Sequence, residues 1–459
     1  MLLTLLSPAL ASLTLLVQTA ETDPAPISAA FLAEAERQMS DPAAPGLAVA
    51  LVEADRVSDI ITLGTADTET GRPLSPTSPF RSASTLKMVV AAAVLRQAEI
   101  DGVSLDTPIG SLAPDLPGFL HPITLHQLLT HTGGLVDRTD DFGRLDAAAL
   151  RDAILALEPD TLYLPPGTAF SYSNIGYNIA GYVLERMASE PFDVALERLV
   201  LSPLSMDHST FETARAQALG WAAPHWQGTP LERNPENRAE WPSGMMYTSA
   251  ADVGRFLAAL MQDGIIDGER VWPAGLSERL VTDHVRAEET ATGFGYGYGV
   301  MIGTFAGHRA WFHSGGLPGY RANVLALPDD NLAIALLANG EGFDRTALLE
   351  TLIPSAPPSP TSPSGPMSGD VASMPRLAGL YTQADDLPSL CVYERDGAPR
   401  IDSRGRTLSL HRDGETGLVG LDADGNVRAR YRLYFDARGE ILALGSWVRA
   451  FRRTADSCD

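Results

Sequence analysis

The chain is poor in cysteine, in positive charge and in long apolar runs. It has two cysteines, Cys391 and Cys458, both near the C-terminus. Neither is placed like a catalytic thiol, which removes a cysteine-nucleophile reading. In an exported chain an even count allows one disulfide; two unpaired thiols is the other reading. Lys and Arg total 34 against 57 Asp and Glu, a formal net charge of −23. Phosphate backbones need clustered Lys and Arg, so the balance argues against a nucleic-acid partner and reads as solubility. Beyond the first twenty residues no stretch is long and apolar enough to span a bilayer. There is no H-E-x-x-H, H-x-x-E-H or compact Cys/His cluster. His121, His126 and His131 recur every fifth residue, which does not line one helix face. No metal and no cofactor is therefore expected. No G-x-S-x-G elbow occurs, which disfavours an α/β-hydrolase, and no glycine-rich phosphate loop is found.

What is present describes a folded, multi-domain chain. The 459 residues are 45% hydrophobic and 20% charged, the composition of a globular protein of two or three domains. Residues 1–20, MLLTLLSPALASLTLLVQTA, carry no charged side chain and offer small-residue cleavage sites after Ala11 and Ala20. They read as a signal peptide, so the mature chain is expected to be exported, periplasmic or secreted. No Lys or Arg precedes this run. The alternative is an uncleaved anchor, but Ser7-Pro8 and Ser12 interrupt the run and it is short for a stable span.

Ile27 to Met39 has helical apolar spacing, Gly46 to Val52 reads as a buried strand, and Ile60 to Gly64 as its hairpin partner across a polar Glu53–Asp59 stretch. A long helix-rich middle follows. Strands return at Ala310–His313, Ala322–Leu327 and Leu332–Leu337, the last two joined by a Pro328-Asp329-Asp330-Asn331 turn. This predicts an α/β (α+β) sandwich over residues 27–353, its antiparallel sheet closed by strands from both ends of that region. Residues 354–370, rich in Pro, Ser and Gly, read as a linker. Residues 371–459 alternate apolar and polar positions between turns at Asp396-Gly397, Asp413-Gly414 and Asp424-Gly425-Asn426. They predict a small C-terminal antiparallel β domain, barrel-like.

Three constellations carry chemistry. In Ser84-Thr85-Leu86-Lys87, before the Ala-rich run Met88 to Leu95, a helix puts Lys87 one turn from Ser84. Ser84 then falls at the helix N-terminus, which favours developing negative charge. A serine hydroxyl needs a base, and a lysine flanked by Leu86, Met88 and Val89 would be desolvated enough to act as one. In Phe170-Ser171-Tyr172-Ser173-Asn174, after Pro165-Pro166-Gly167, a phenol can relay a proton. The Asn174 amide there can bind a substrate carbonyl or orient the lysine. In Trp311-Phe312-His313-Ser314-Gly315-Gly316, small residues let a substrate backbone approach a strand edge. The Gly316 N–H could join that of Ser84 in an oxyanion hole. Taken singly, each is more simply read as structural: an N-cap serine beside an unrelated lysine, a loop tyrosine with a capping Asn, and a strand ending at a glycine turn.

In this order the three resemble the signature set of the serine β-lactamase / penicillin-binding-protein superfamily: S-x-x-K, a Tyr-x-Asn loop, and a strand of K-T-G type. The Tyr version is similar to the branch holding class C β-lactamases, D,D-peptidases, D-aminopeptidases and esterases. Ile123 to Leu135 (ITLHQLLTHTGGL), Pro242 to Val253 (PSGMMYTSAADV) and Gly295 to Gly299 (GYGYG) resemble further segments of that branch. The resemblance covers about residues 27–350. It implies Ser84 as the acylated nucleophile, Lys87 and Tyr172 as its base and acid, and Asn174, His313, Ser314, Gly315 and Gly316 as substrate contacts. His313 departs from the strand lysine of many β-lactamases. Histidine is largely neutral near pH 7, which weakens an efficient β-lactamase.

The function expected is hydrolysis of an amide or ester through an acyl-enzyme, on D-amino-acid peptides, β-lactams or small esters. The alternative is a non-catalytic or acylation-only protein that binds penicillin or senses peptidoglycan. The partner expected is a small-molecule or peptide substrate, with no stable membrane span once the leader is cleaved. The C-terminal domain reads equally as a passive module or as one reaching over the cleft.

Overall fold

The computed structural model describes residues 28–354, 377–384, 387–403 and 405–458. The leader, residues 1–20, lies outside the described residues, as does the linker apart from Pro354.

Two apolar hairpins set the frame. Strands β1 (Gly46–Glu53) and β2 (Arg56–Asp67) pair in register Glu53↔Arg56. The hairpin is tighter than the polar spacing predicts. Ala54 takes φ 57°, so Arg56 to Asp59 join the strand instead of forming a loop. Late in residues 28–354 come β4 (Gly295–Tyr296), β5 (Met301–Phe305), β6 (His308–Leu317), β7 (Tyr320–Leu327) and β8 (Leu332–Ala338). With β3 (Arg72–Pro73) they form one eight-stranded sheet of order β4-β5-β6-β7-β8-β1-β2-β3. All its pairings are antiparallel. Pairing of Leu47 with Ala338 closes the sheet with strands from the two ends of this region.

Alternation along the central strands feeds two cores. Leu47, Val49 and Leu51 of β1 meet α1 (Ala29–Met39) and α6 (Arg345–Glu350) on one face. Ala48, Ala50 and Val52 face the large helical layer. That layer contains α2 (Leu86–Asp101), α3 (Leu125–Leu129), α4 (Asn174–Ala188) and α5 (Ala250–Met261). Helix α2 is buried on nearly every side, as a helix with no polar face must be. It ends at Gly102, whose φ of 64° supplies the left-handed cap.

The C-terminal part is a closed antiparallel barrel of eight strands, from β9 (Gly379–Thr382) to β16 (Arg449–Ala455). Asp396 (φ 55°) and Gly397 (φ 71°) make the two-residue turn between Arg395 and Ala398. Tyr381, Ile401, Leu410, Tyr431 and Leu444 fill the interior. Cys391 and Cys458 are joined in a disulfide.

Candidate active site

Ser84 sits in the 3-10 turn Ala83–Thr85 that opens α2. Ala83, the first residue of this turn, holds φ 46°, a strained value for a residue with a Cβ. The turn is fastened to the segment before α5: Ser82 donates from N and Oγ to the Met246 carbonyl at 2.8 and 2.9 Å. Fully buried Arg81 donates to the carbonyls of Met245 and Pro235 and stacks on Tyr247.

Lys87 is completely buried, and it is the only lysine in the chain. Its Nζ donates to Asn174 Oδ1 at 2.6 Å, the Ser243 carbonyl at 2.6 Å and Ser84 Oγ at 3.2 Å. Two of these acceptors, an amide oxygen and a carbonyl, require a hydrogen from the amine. Ser84 Oγ does not, because a hydroxyl can donate as well as accept. A neutral Lys87 thus keeps both fixed bonds and turns its lone pair to Ser84. Burial pushes the Lys87 ammonium down to about 7, partly opposed by the carboxylates of Asp137 and Glu240.

Tyr172 comes from the loop ahead of α4. Ser173 caps that helix by accepting from Gly176 N, leaving Asn174 as its first residue. Burial holds the Tyr172 phenol well above the usual value, partly opposed by the nearby Ser84 hydroxyl, so it stays protonated at neutral pH. Its ring lies 5.0 Å from Lys87 Nζ. Asn174 is fixed at both ends: Oδ1 takes Lys87, while its backbone N and Nδ2 donate to Asp137 Oδ1 at 2.8 and 3.0 Å.

The third constellation lies on β6. Strand β5 pairs with it only as far as Phe312, so among the described residues no strand pairs with that edge at 313–317. Gly315 is required there. A Cβ at this position would come within 2.8 Å of Ser84 N and of Ala83 Cβ. The Gly315 carbonyl accepts from Arg345 at 3.0 Å on the β7 side. Across the same trans peptide, the Gly316 N–H points to the free edge. Ser314 and Gly316 are exposed along that edge.

His313 is buried rather than open to the cleft. A hydrogen-bond chain fixes two histidines. Ser173 N donates to His131 Nδ1 at 3.1 Å, so His131 Nε2–H faces Tyr296 Oη at 3.0 Å. Tyr296 Oη lies 3.4 Å from His313 Nε2, and His313 Nδ1 donates to the Ser314 carbonyl at 2.7 Å. Burial and the Lys87 charge push His313 down to about 3. It is therefore a neutral support beneath Tyr172 and not a cation for a substrate carboxylate.

Sequence reasoning did not single out Asp137, Ser243, Glu240 or Tyr296. Solitary Lys87 was a signal in plain view. Ser243 and Tyr296 lie inside the Pro242–Val253 and Gly295–Gly299 segments, and Asp137 lies two residues beyond the Ile123–Leu135 segment. Among the described residues no cluster of His, Cys, Asp and Glu could hold a metal, and no helix is long and apolar enough to cross a membrane.

This sheet, with its helical layer and a Ser-x-x-Lys turn at the mouth, defines a protein of the serine β-lactamase / penicillin-binding-protein superfamily. The β-lactamase family model matches residues 32–356, and the chain belongs to that family. Penicillin-binding protein 4 of Amycolatopsis lactamdurans is 28% identical over 319 residues, covering 64% of this chain and 81% of that protein. Esterase EstB of Burkholderia gladioli is 30% identical over 284 residues, covering 51% and 69%. Among solved structures, that of SurE superposes with a TM-score of 0.71 at 24% identity, covering 93% of this chain and 98% of that one. That superposition extends beyond the family-model match.

Proposed function

We propose that the chain is an exported serine hydrolase that works through an acyl-enzyme on Ser84. Family membership supports serine hydrolysis in general terms. The observation that carries the finer reading is Lys87: buried, bound to two fixed acceptors, with its remaining direction aimed at Ser84 Oγ.

In this reading neutral Lys87 takes the Ser84 proton as Oγ adds to the substrate carbonyl. The N–H groups of Ser84 and Gly316 receive the developing oxyanion. Tyr172, still protonated, passes its proton to the departing amine or alkoxide and is reprotonated from Lys87. The C–N or C–O bond breaks and the acyl group stays on Ser84. Water then adds to the acyl carbon, gives up its proton to the same pair, and Ser84 leaves as the hydroxyl. The pKa ordering favours Lys87 as base and Tyr172 as donor. The candidate substrates are D-amino-acid peptides, β-lactams and small esters. Neutral, buried His313 weighs against those that need a fixed cation at this strand. The Cys391–Cys458 disulfide supports export, because such bonds persist in oxidising compartments.

The test is labelling with a fluorophosphonate and a fluorescent penicillin, followed by turnover of nitrocefin, D-Ala peptides and p-nitrophenyl esters. Labelling that disappears in Ser84→Ala, with turnover of at least one substrate, is the expected result. Equal labelling of both proteins would remove Ser84, and labelling without turnover would leave an acylation-only protein.

A further inference from the structure

The barrel reaches into the machinery just described. Its last hairpin joins β15 (Ile441–Ser446) to β16, with Ser446 opposite Arg449. Trp447 turns this corner at φ 52°, a left-handed value that favours glycine. The strained corner is fastened to the Tyr172 loop. Tyr172 N donates to the Val448 carbonyl at 2.7 Å, Ala450 N donates to Ser171 Oγ at 3.2 Å, and Tyr163 Oη donates to the Ala450 carbonyl at 2.8 Å. Gln383, also from the barrel part, donates to that carbonyl at 2.9 Å. Between Val448 and Ala450, Arg449 pairs with Asp137 Oδ2.

Asp137 is nearly inaccessible, with its side chain 3% exposed. Its other oxygen accepts from both nitrogens of Asn174, whose Oδ1 faces Lys87. A continuous path therefore runs Arg449, Asp137, Asn174, Lys87. We propose that Arg449, delivered by the barrel, is a positioning residue that sets the charge balance of Lys87 by pairing with Asp137. The proposal rests on the reading of Lys87 as the base of an acyl-transfer site.

The physical argument is one of sign. Asp137 and Glu240 are the carboxylates that favour the Lys87 ammonium. Glu240 accepts from Asn178 and Ser243 and is itself held up by burial. His131 and His313 lie close enough to feel the Lys87 charge, but both are kept neutral by burial. The rings of Tyr172 and Tyr177 lie 5.0 and 5.4 Å from Nζ, and both phenols stay protonated. Asp137 is therefore the carboxylate whose influence a partner can adjust, and the Arg449 guanidinium offsets its charge. Removing Arg449 leaves the Asp137 charge unopposed and holds the proton on Lys87 more tightly. Removing the Asp137 charge does the reverse.

Because Lys87 is the only lysine, a protein labelled biosynthetically with 13Cε-lysine gives one lysine signal whose titration reads this group directly. The full-length protein is compared with Arg449→Gln and Asp137→Asn. The expected result is a midpoint raised by about half a pH unit or more in Arg449→Gln and lowered by a similar amount in Asp137→Asn. The acid limb of kcat/KM should move with each, so that below the limb Arg449→Gln loses about threefold in rate. A merely structural contact would not move the two midpoints in opposite directions. Unmoved midpoints, or shifts of the same sign, overturn the proposal. Should Arg449→Gln not fold, Arg449→Met, which keeps the aliphatic stem, is titrated in its place: a raised midpoint supports the proposal, an equal or lower one refutes it. The titration needs no turnover, so failed Ser84 labelling would sink the hydrolase reading while leaving this measurement interpretable.

Discussion

The backbone N–H of Tyr172 is bound by the carbonyl of Val448, at 2.7 Å and 276 positions along the chain. One bond ties the loop that carries a candidate proton donor to a hairpin of the barrel. The Tyr172 loop is thus held by both parts of the chain, and the barrel is more than an appendage. Expectations for the site follow from the same contacts.

The acid limb of kcat/KM should report Lys87. Its ammonium is pushed down to about 7, against an ordinary lysine value of 10.5. On the proposed reading Lys87 acts when neutral, so the rate should fall as pH drops through about 7, by about tenfold for each further pH unit. Lys87→Met should lose at least about 10²-fold at every pH. A pH–rate profile checks both. A limb unchanged in Lys87→Met would assign the titration to another group.

The two buried histidines should be silent across the same range. His131 and His313 are held far below the usual histidine value, by burial first and by Lys87 second. Their hydrogen bonds fix opposite tautomers, Nε2–H on His131 and Nδ1–H on His313. Long-range 15N–1H correlation spectra should show these two tautomers unchanged between about pH 5 and 8. A histidine at either position that protonates in that window would contradict the network.

Gly315→Ala should damage catalysis more than folding. The new Cβ would press on Ser84 N and Ala83 Cβ, both at 2.8 Å, on backbone already strained at Ala83. The strand must retreat from Ser84, and a shift of this order costs about 10²-fold in rate. Acylation rates together with thermal melts separate the effects. A variant that acylates at the wild-type rate would mean that the approach of β6 to Ser84 is not needed.

Much of this was legible in the sequence because local chemistry dictates it. Ser84 and Lys87 are three apart on an Ala-rich helix, and helical spacing alone brings them together. The strands at 46–53 and 332–338 carry continuous apolar runs, which demand burial on both faces of a sheet. The hidden parts depend on long-range meetings. Asp137 looks like any loop acid until Asn174 and Arg449 converge on it, and Arg449 is one of several arginines on an alternating strand. The burial of His313 follows from how β6 packs under the Tyr172 loop, which period-two alternation does not report. The tight turn at Ala54 was missed because polar residues in Arg56–Asp59 look like a loop, whereas the hairpin register keeps them in β2.

Reducing the Cys391–Cys458 disulfide should weaken the barrel and, through it, the site. The bond spans 67 positions, so it restricts the unfolded chain of nearly the whole barrel. A loop of that length corresponds to about 4 kcal/mol of stabilisation in the chain-entropy account. Cys458 follows β16, the strand that begins with Arg449 and Ala450, so loosening its end loosens the contacts to Asp137 and Ser171. Urea melts with and without a phosphine reductant should separate a lower barrel transition from an unshifted catalytic one. The rate should fall at urea concentrations where only the barrel has melted. Full activity persisting there would show that the Tyr172 loop holds its shape without the hairpin, and that Val448 and Arg449 are bystanders.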